Sequence, residues 1–175
     1  GDFKNKNIVI AEALLDSVLK ECSIKNYKII KKFKGKDLKD TICNHPFFDL
    51  GYEYDIPMLG ARFVTTEQGT GIVHCAPSHG PDDFNLCLNH GIKAIETVDG
   101  DGKYTKNVHL FEGNHIFKSN PIVIEKLKEQ KKLLANGELT HSYPHSWRSK
   151  APLVHRATPQ WFISMESHKL RETAL

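Results

Sequence analysis

The 175-residue chain has no apolar run approaching the roughly 20 residues that a membrane helix needs. It also has no basic, apolar and small-residue series of the secretory kind. Both absences argue against a membrane-bound or exported protein, and the cytoplasm is the expected compartment. The four cysteines, Cys22, Cys43, Cys75 and Cys87, form no C-x-x-C pair, which leaves free, reduced thiols as their reading. No H-E-x-x-H pair and no strand-turn-helix nucleophile elbow is present. With 39% hydrophobic residues and a formal charge of only +3, the chain is neither disordered nor a uniform polycation. It is large enough for one domain with a core. Gly1 stands where an initiator methionine would, and Thr173-Ala174-Leu175 reads as the opening of a helix, so a piece of something longer is expected.

What the chain does have is concentrated between residues 69 and 84, Gly-Thr-Gly-Ile-Val-His-Cys-Ala-Pro-Ser-His-Gly-Pro-Asp-Asp-Phe. Ile72 and Val73 deliver His74 at the end of a short predicted strand, and a turn through Pro77, His79 and Gly80 leads to Pro81. Proline suits the first position of a helix, and carboxylates just behind it suit the positive helix end. Asp83 is therefore expected as an ion on the first turn, beside the strand that carries His74. Such an arrangement would receive a cationic ammonium group.

Elsewhere the periodicity predicts a strand over 8–10, an amphipathic helix over 11–22 and an edge strand over 27–33 with neither face cleanly apolar. An irregular stretch through His45-Pro46-Phe47-Phe48 follows, then short strands over 56–59, 61–65 and 71–74. The helix begun at Pro81 should stop at Gly91. A strand over 93–98 precedes Asp99-Gly100-Asp101-Gly102, a tight turn rather than a calcium loop, because the closing glutamate is absent. A helix capped by Asn120, with Pro121 first, should end at Asn136-Gly137. Residues 141–148 read as an aromatic loop, and 153–158 and 161–164 as strands. Together these elements predict an α+β fold with a mostly antiparallel or barrel-like β core and three or four peripheral helices.

Charge is uneven. Lys25, Lys28, Lys31, Lys32, Lys34, Lys36 and Lys39 crowd one segment, and Lys126, Lys128, Lys131 and Lys132 another. Either patch fits a solvated surface and either could meet phosphates. Neither has the alternating aromatics and arginines of a dedicated single-strand groove. His74, His79, Asp82 and Asp83 are possible metal ligands, but strand, loop and helix separate them, so no metal is expected. Taken singly, His74 fits a core histidine and Asp83 a helix-end charge.

The complete string, Gly-Thr-Gly-x-Val-His-x-Ala-Pro-x-His-Gly-x-Asp-Asp, joined to His141-Ser-Tyr-Pro-His-Ser-Trp-Arg148 and Arg156-Ala-Thr-Pro-Gln-Trp-Phe162, closely resembles the editing domain inserted in bacterial-type isoleucyl-tRNA synthetases. The resemblance runs over essentially the whole chain. It implies a post-transfer editing function, hydrolysis of misacylated valyl-tRNA(Ile), on the fold of the valine, isoleucine and leucine enzymes' editing domains. It implies that Asp83 anchors the α-amino group of the ester and that His74 lines the side-chain pocket and helps to orient water. Ala76 and His79 follow as contacts to the terminal adenosine or as loop support. Residues 1–165 would be the editing domain without its upstream threonine-rich wall, which Thr65-Thr66 does not resemble. Residues 166–175 would begin the return toward the aminoacylation domain. The implied partners are the tRNA(Ile) 3′ end carrying valine and the remainder of the synthetase. No cofactor is implied for this segment, and ATP and magnesium are implied for the full-length enzyme. Two other readings remain: a non-catalytic tRNA-binding module and a metal-dependent hydrolase.

Overall fold

The computed structural model describes residues 6–67 and 69–175; Gly1, and with it the expected domain start, lies outside the described residues. Among the described residues there are four α-helices: α1 (Leu15–Glu21), α2 (Pro81–Asn89), α3 (Asn120–Glu129) and α4 (Leu170–Ala174). Between α1 and α2 lie β1 (Ile42–Asn44) and β2 (Asp55–Pro57), which pair antiparallel with Cys43 opposite Ile56.

The loop joining β1 to β2 builds the core. It folds back so that Phe47 and Tyr52 are buried with Phe111, and Val123 and Leu127 of α3 pack against these rings. Phe47 meets Phe111 edge-on at 5.9 Å, a favoured aromatic geometry. Tyr52 lies between two imidazoles, stacked on His45 at 4.6 Å and on His109 at 4.5 Å. The turn closing this loop needs Gly51: its φ is +92°, and a Cβ there would sit 2.8 Å from His109 Nε2. That imidazole donates to Leu50 O at 2.8 Å, so ring and turn hold each other.

Helix starts follow the sequence. Pro81 opens α2 behind Gly80, and Pro121 sits in the first turn of α3, although Ser119 rather than Asn120 occupies the cap position. α2 ends as expected, with Gly91 at φ +72° and Ile92 N–H reaching back to Cys87 O at 2.9 Å. α3 stops well short of Gly137. Lys131 adopts φ +54°, and Lys132 N–H closes on Leu127 O at 2.9 Å, the same left-handed termination without a glycine.

The β content departs from expectation. Residues 8–10, 27–33, 61–65, 71–74, 93–97, 153–158 and 161–164 form no ladder, and the one sheet among the described residues has two strands and is not closed. The barrel-like core is thus replaced by an open antiparallel pair and isolated bridges such as Val98 with Tyr104. A strand needs a partner as well as β-branched residues, and these segments find no ladder partner among the described residues. The 99–102 turn forms as predicted, with Asp99 Oδ1 accepting from Asp101 N and Lys103 N, both at 2.9 Å. These backbone bonds, led by that from Lys103, hold the Asp99 carboxyl below its ordinary range.

Candidate functional site

The Gly69-Thr70-Gly71 turn is fixed against the first helical segment. Ala11 N donates to Thr70 O at 2.8 Å. Gly71, at φ +79°, could carry a Cβ only 2.5 Å from that of Ala11. Glycine here permits close approach of two backbones. From this anchor the chain runs through His74 to a turn in which His79 N donates to Ala76 O at 2.9 Å.

Asp83, on the first turn of α2, reaches back to this segment. Its Oδ2 accepts from Ala76 N at 2.8 Å, and its other side-chain partner is the weakly donating Cys75 thiol. The half-buried carboxylate is therefore oriented by a backbone donor and by the helix N-terminus, with acceptor capacity to spare. Cys75 lies beneath it, its thiol 3.9 Å from Asp83 O and 3.9 Å from Cys87 Sγ. Burial first, then the contact with Cys87 and the Asp83 charge, push the Cys75 thiol up to about 12. A thiol so raised is not a nucleophile at neutral pH.

The four predicted side chains part company here. Ala76 and Asp83 are brought together. His74 is exposed, and no hydrogen bond or ion pair joins it to Asp83 among the described residues. Its charge acts on His45, whose pKa is lowered by burial and then by His74. His79 is held at both nitrogens, donating from Nδ1 to His155 O at 2.8 Å and meeting Thr97 Oγ1 with Nε2 at 2.6 Å. Since a carbonyl can only accept, Nδ1 carries a proton, and Nε2 shares its hydrogen bond with the Thr97 hydroxyl.

Contacts that sequence reasoning missed come from residues far along the chain. Ala157 N donates to Ser78 O at 2.8 Å, and Arg156 Nη1 meets Glu96 Oε1 at 3.2 Å. The 155–157 segment is thereby laid across the loop that precedes α2. Its motif was visible in the sequence, but its partners Ser78, His79 and Glu96 were not. Among the described residues no three histidine, cysteine or acidic side chains converge closely enough to hold a metal ion. No helix among them is long and apolar enough to cross a membrane.

No family model matches the chain. It is 86% identical over all 175 residues to isoleucine–tRNA ligase of Pelagibacter ubique, of which it covers 19%. Over 174 residues it is 45% identical to the ligase of Hahella chejuensis, covering 99% of the chain and 18% of that protein. The Gluconobacter oxydans ligase is 46% identical over 180 aligned residues, covering 96% of the chain and 19% of that protein. The chain therefore spans about a fifth of the length of these curated relatives, and it is homologous along its whole length to a segment of the isoleucine–tRNA ligases.

Proposed function

We propose that this chain is the editing module of an isoleucyl-tRNA synthetase and hydrolyses the ester of valine mistakenly attached to tRNA(Ile). Valine lacks one methylene of isoleucine, and a hydrophobic pocket gains only about 1–3 kcal/mol from it, a figure established on this enzyme family itself. Adequate discrimination needs a second, smaller hydrolytic site. The observation that carries the assignment is the Asp83 carboxylate, fixed through Oδ2 by Ala76 N at 2.8 Å with acceptor capacity to spare beyond the weak Cys75 thiol.

In this reading Oδ1 accepts a charge-assisted hydrogen bond from the α-ammonium of the aminoacyl ester. That contact distinguishes an aminoacyl group from other esters. His74, exposed two residues before Ala76, narrows the side-chain pocket against isoleucine and helps to orient the attacking water. Water adds to the ester carbonyl carbon, the bond to the ribose oxygen breaks, and that oxygen leaves as the hydroxyl of the tRNA terminus with free valine as the other product. Positioning supplies most of the acceleration. Ala76 contributes its backbone N–H. Of the two roles open to His79, its two occupied nitrogens favour loop support over contact with the terminal adenosine. ATP and magnesium serve aminoacylation elsewhere in the full-length synthetase. Its cytoplasmic setting, the remaining chain and tRNA(Ile) complete the proposal.

A second reading, a non-catalytic RNA-binding module, is favoured by the lysine-rich segment over 25–39. Deacylation of valyl-tRNA(Ile) by the full-length protein separates the two. Asp83→Ala should lower the rate about 100-fold, equivalent to roughly 2.7 kcal/mol. An unchanged rate would remove Asp83 from the mechanism.

A further inference from the structure

The two lysine clusters look alike in sequence and differ in the structure. On α3, Lys126 pairs with Glu129 at 2.6 Å and Lys128 with Glu125 at 3.6 Å, so two of that cluster's four lysines are neutralised by its own helix. Along 25–39, seven lysines face one aspartate, a local charge of +6 in a chain whose total is +3. Only Lys32 has a carboxylate partner there, Glu12; Lys25, Lys28, Lys31, Lys34, Lys36 and Lys39 have none among the described residues. Every residue from 25 to 37 is exposed. Tyr27 and Phe33 stand 55% and 43% exposed among the lysines. A cleft of about 390 Å³ lined by Lys31, Lys32, Phe33, Asp37 and Leu38 opens in the same segment, and none of these residues belongs to the 69–84 string.

The segment lacks the arginines of a dedicated single-strand groove, but unpaired ammonium groups can meet phosphates and the two exposed rings can stack on unpaired bases. We infer that residues 25–39 form an RNA-docking strap, separate from the Asp83 site, that binds a single-stranded segment through Lys28, Lys31 and Lys34 on phosphates and Phe33 on a base. The inference deepens the proposed function by giving its RNA substrate a second foothold. It does not need the hydrolytic step.

The test measures binding of a fluorescein-labelled oligouridine of about twelve nucleotides to the full-length protein. Replacing Lys28, Lys31 and Lys34 together by glutamine should weaken binding at least about tenfold. It should also lower the slope of log affinity against log salt by about two, at roughly 0.7 per phosphate contact. The Lys126→Gln/Lys128→Gln control should stay within about twofold of the parent. Phe33→Ala should weaken binding, with Phe33→Tyr restoring it, and a 4-thiouridine-bearing oligomer should photo-crosslink to the peptide containing Tyr27 and Phe33. Equal losses in both lysine variants, no crosslink in that peptide, or binding of phosphatidylserine vesicles in place of RNA would overturn the strap. Asp83→Asn should leave oligouridine binding intact, so failure here and failure of the editing assignment are separately visible.

Discussion

The aromatic region around Phe47, Tyr52 and Phe111 and the polar region around Ala76 and Asp83 use similar residue types for opposite ends. In the first, His45 and His109 are spent on packing. They sandwich Tyr52, and their ring nitrogens serve the backbone, with Phe47 N donating to His45 Nδ1 at 3.0 Å. In the second, His79 is likewise consumed by structure, whereas Asp83 keeps acceptor capacity unspent. Function is therefore to be sought where a polar group is held firmly and left partly unsatisfied, not where histidines are most numerous. A variant in the first region should cost stability, and one at Asp83 should cost chemistry.

The largest expected effect on stability is that of Phe111→Ala. It empties the centre of the aromatic cluster and should cost about 3–5 kcal/mol, read by urea unfolding of the full-length protein at the transition that includes this segment. Gly71→Ala comes next. Its Cβ would meet that of Ala11 at 2.5 Å in a backbone at φ +79°, and a loss of about 1–3 kcal/mol is expected. A much smaller loss would mean that the 69–71 turn is not pinned against residue 11.

A smaller effect separates the two regions by pH. Burial and the neighbouring His74 lower the pKa of His45 from 6.5, so the unfolded chain binds more protons between the folded pKa and 6.5. Stability contributed by neutral His45 is complete above 6.5 and falls as pH drops through that window. Thermal midpoints recorded across it should decline less in His45→Phe than in the parent, and parallel curves would contradict the assignment. Smallest of all is a labelling difference. With its thiol pushed up to about 12, Cys75 should react with iodoacetamide at pH 8 far more slowly than Cys22 or Cys43, neither of which is buried, as peptide mass spectrometry can read.

Local chemistry made part of this legible in advance. Pro81 and Pro121 announced helix starts, Gly91 announced a stop, and Asp99-Gly100-Asp101-Gly102 announced a turn, because each acts within a few residues of itself. The expected strands failed for the complementary reason. Residues 27–33 carry β-forming side chains, but pairing is decided by whatever segment lies alongside, which no local pattern records. α3 was overextended because a left-handed termination was expected at Gly137, and Lys131 supplied it at φ +54°. At the site, the helix position of Asp83 was readable, whereas its bond to Ala76 and the capture of His79 by Thr97 and His155 depend on contacts across 7, 18 and 76 positions. The relatives place the chain within isoleucine–tRNA ligases, as the motifs had indicated.

The most direct test of the ammonium-anchor account compares two non-hydrolysable amide ligands, 2′-(valyl)amino-2′-deoxyadenosine and its des-amino counterpart 2′-(isovaleryl)amino-2′-deoxyadenosine, on the full-length protein and on Asp83→Asn. The amide oxygen can still accept from Ala76 N, so the loop should keep its shape while the charge is lost. Calorimetry should show the parent preferring the valyl ligand at least about 100-fold, or roughly 2.7 kcal/mol, with the preference collapsing in Asp83→Asn. A preference that survives the substitution unchanged would place the ammonium elsewhere and contradict the account.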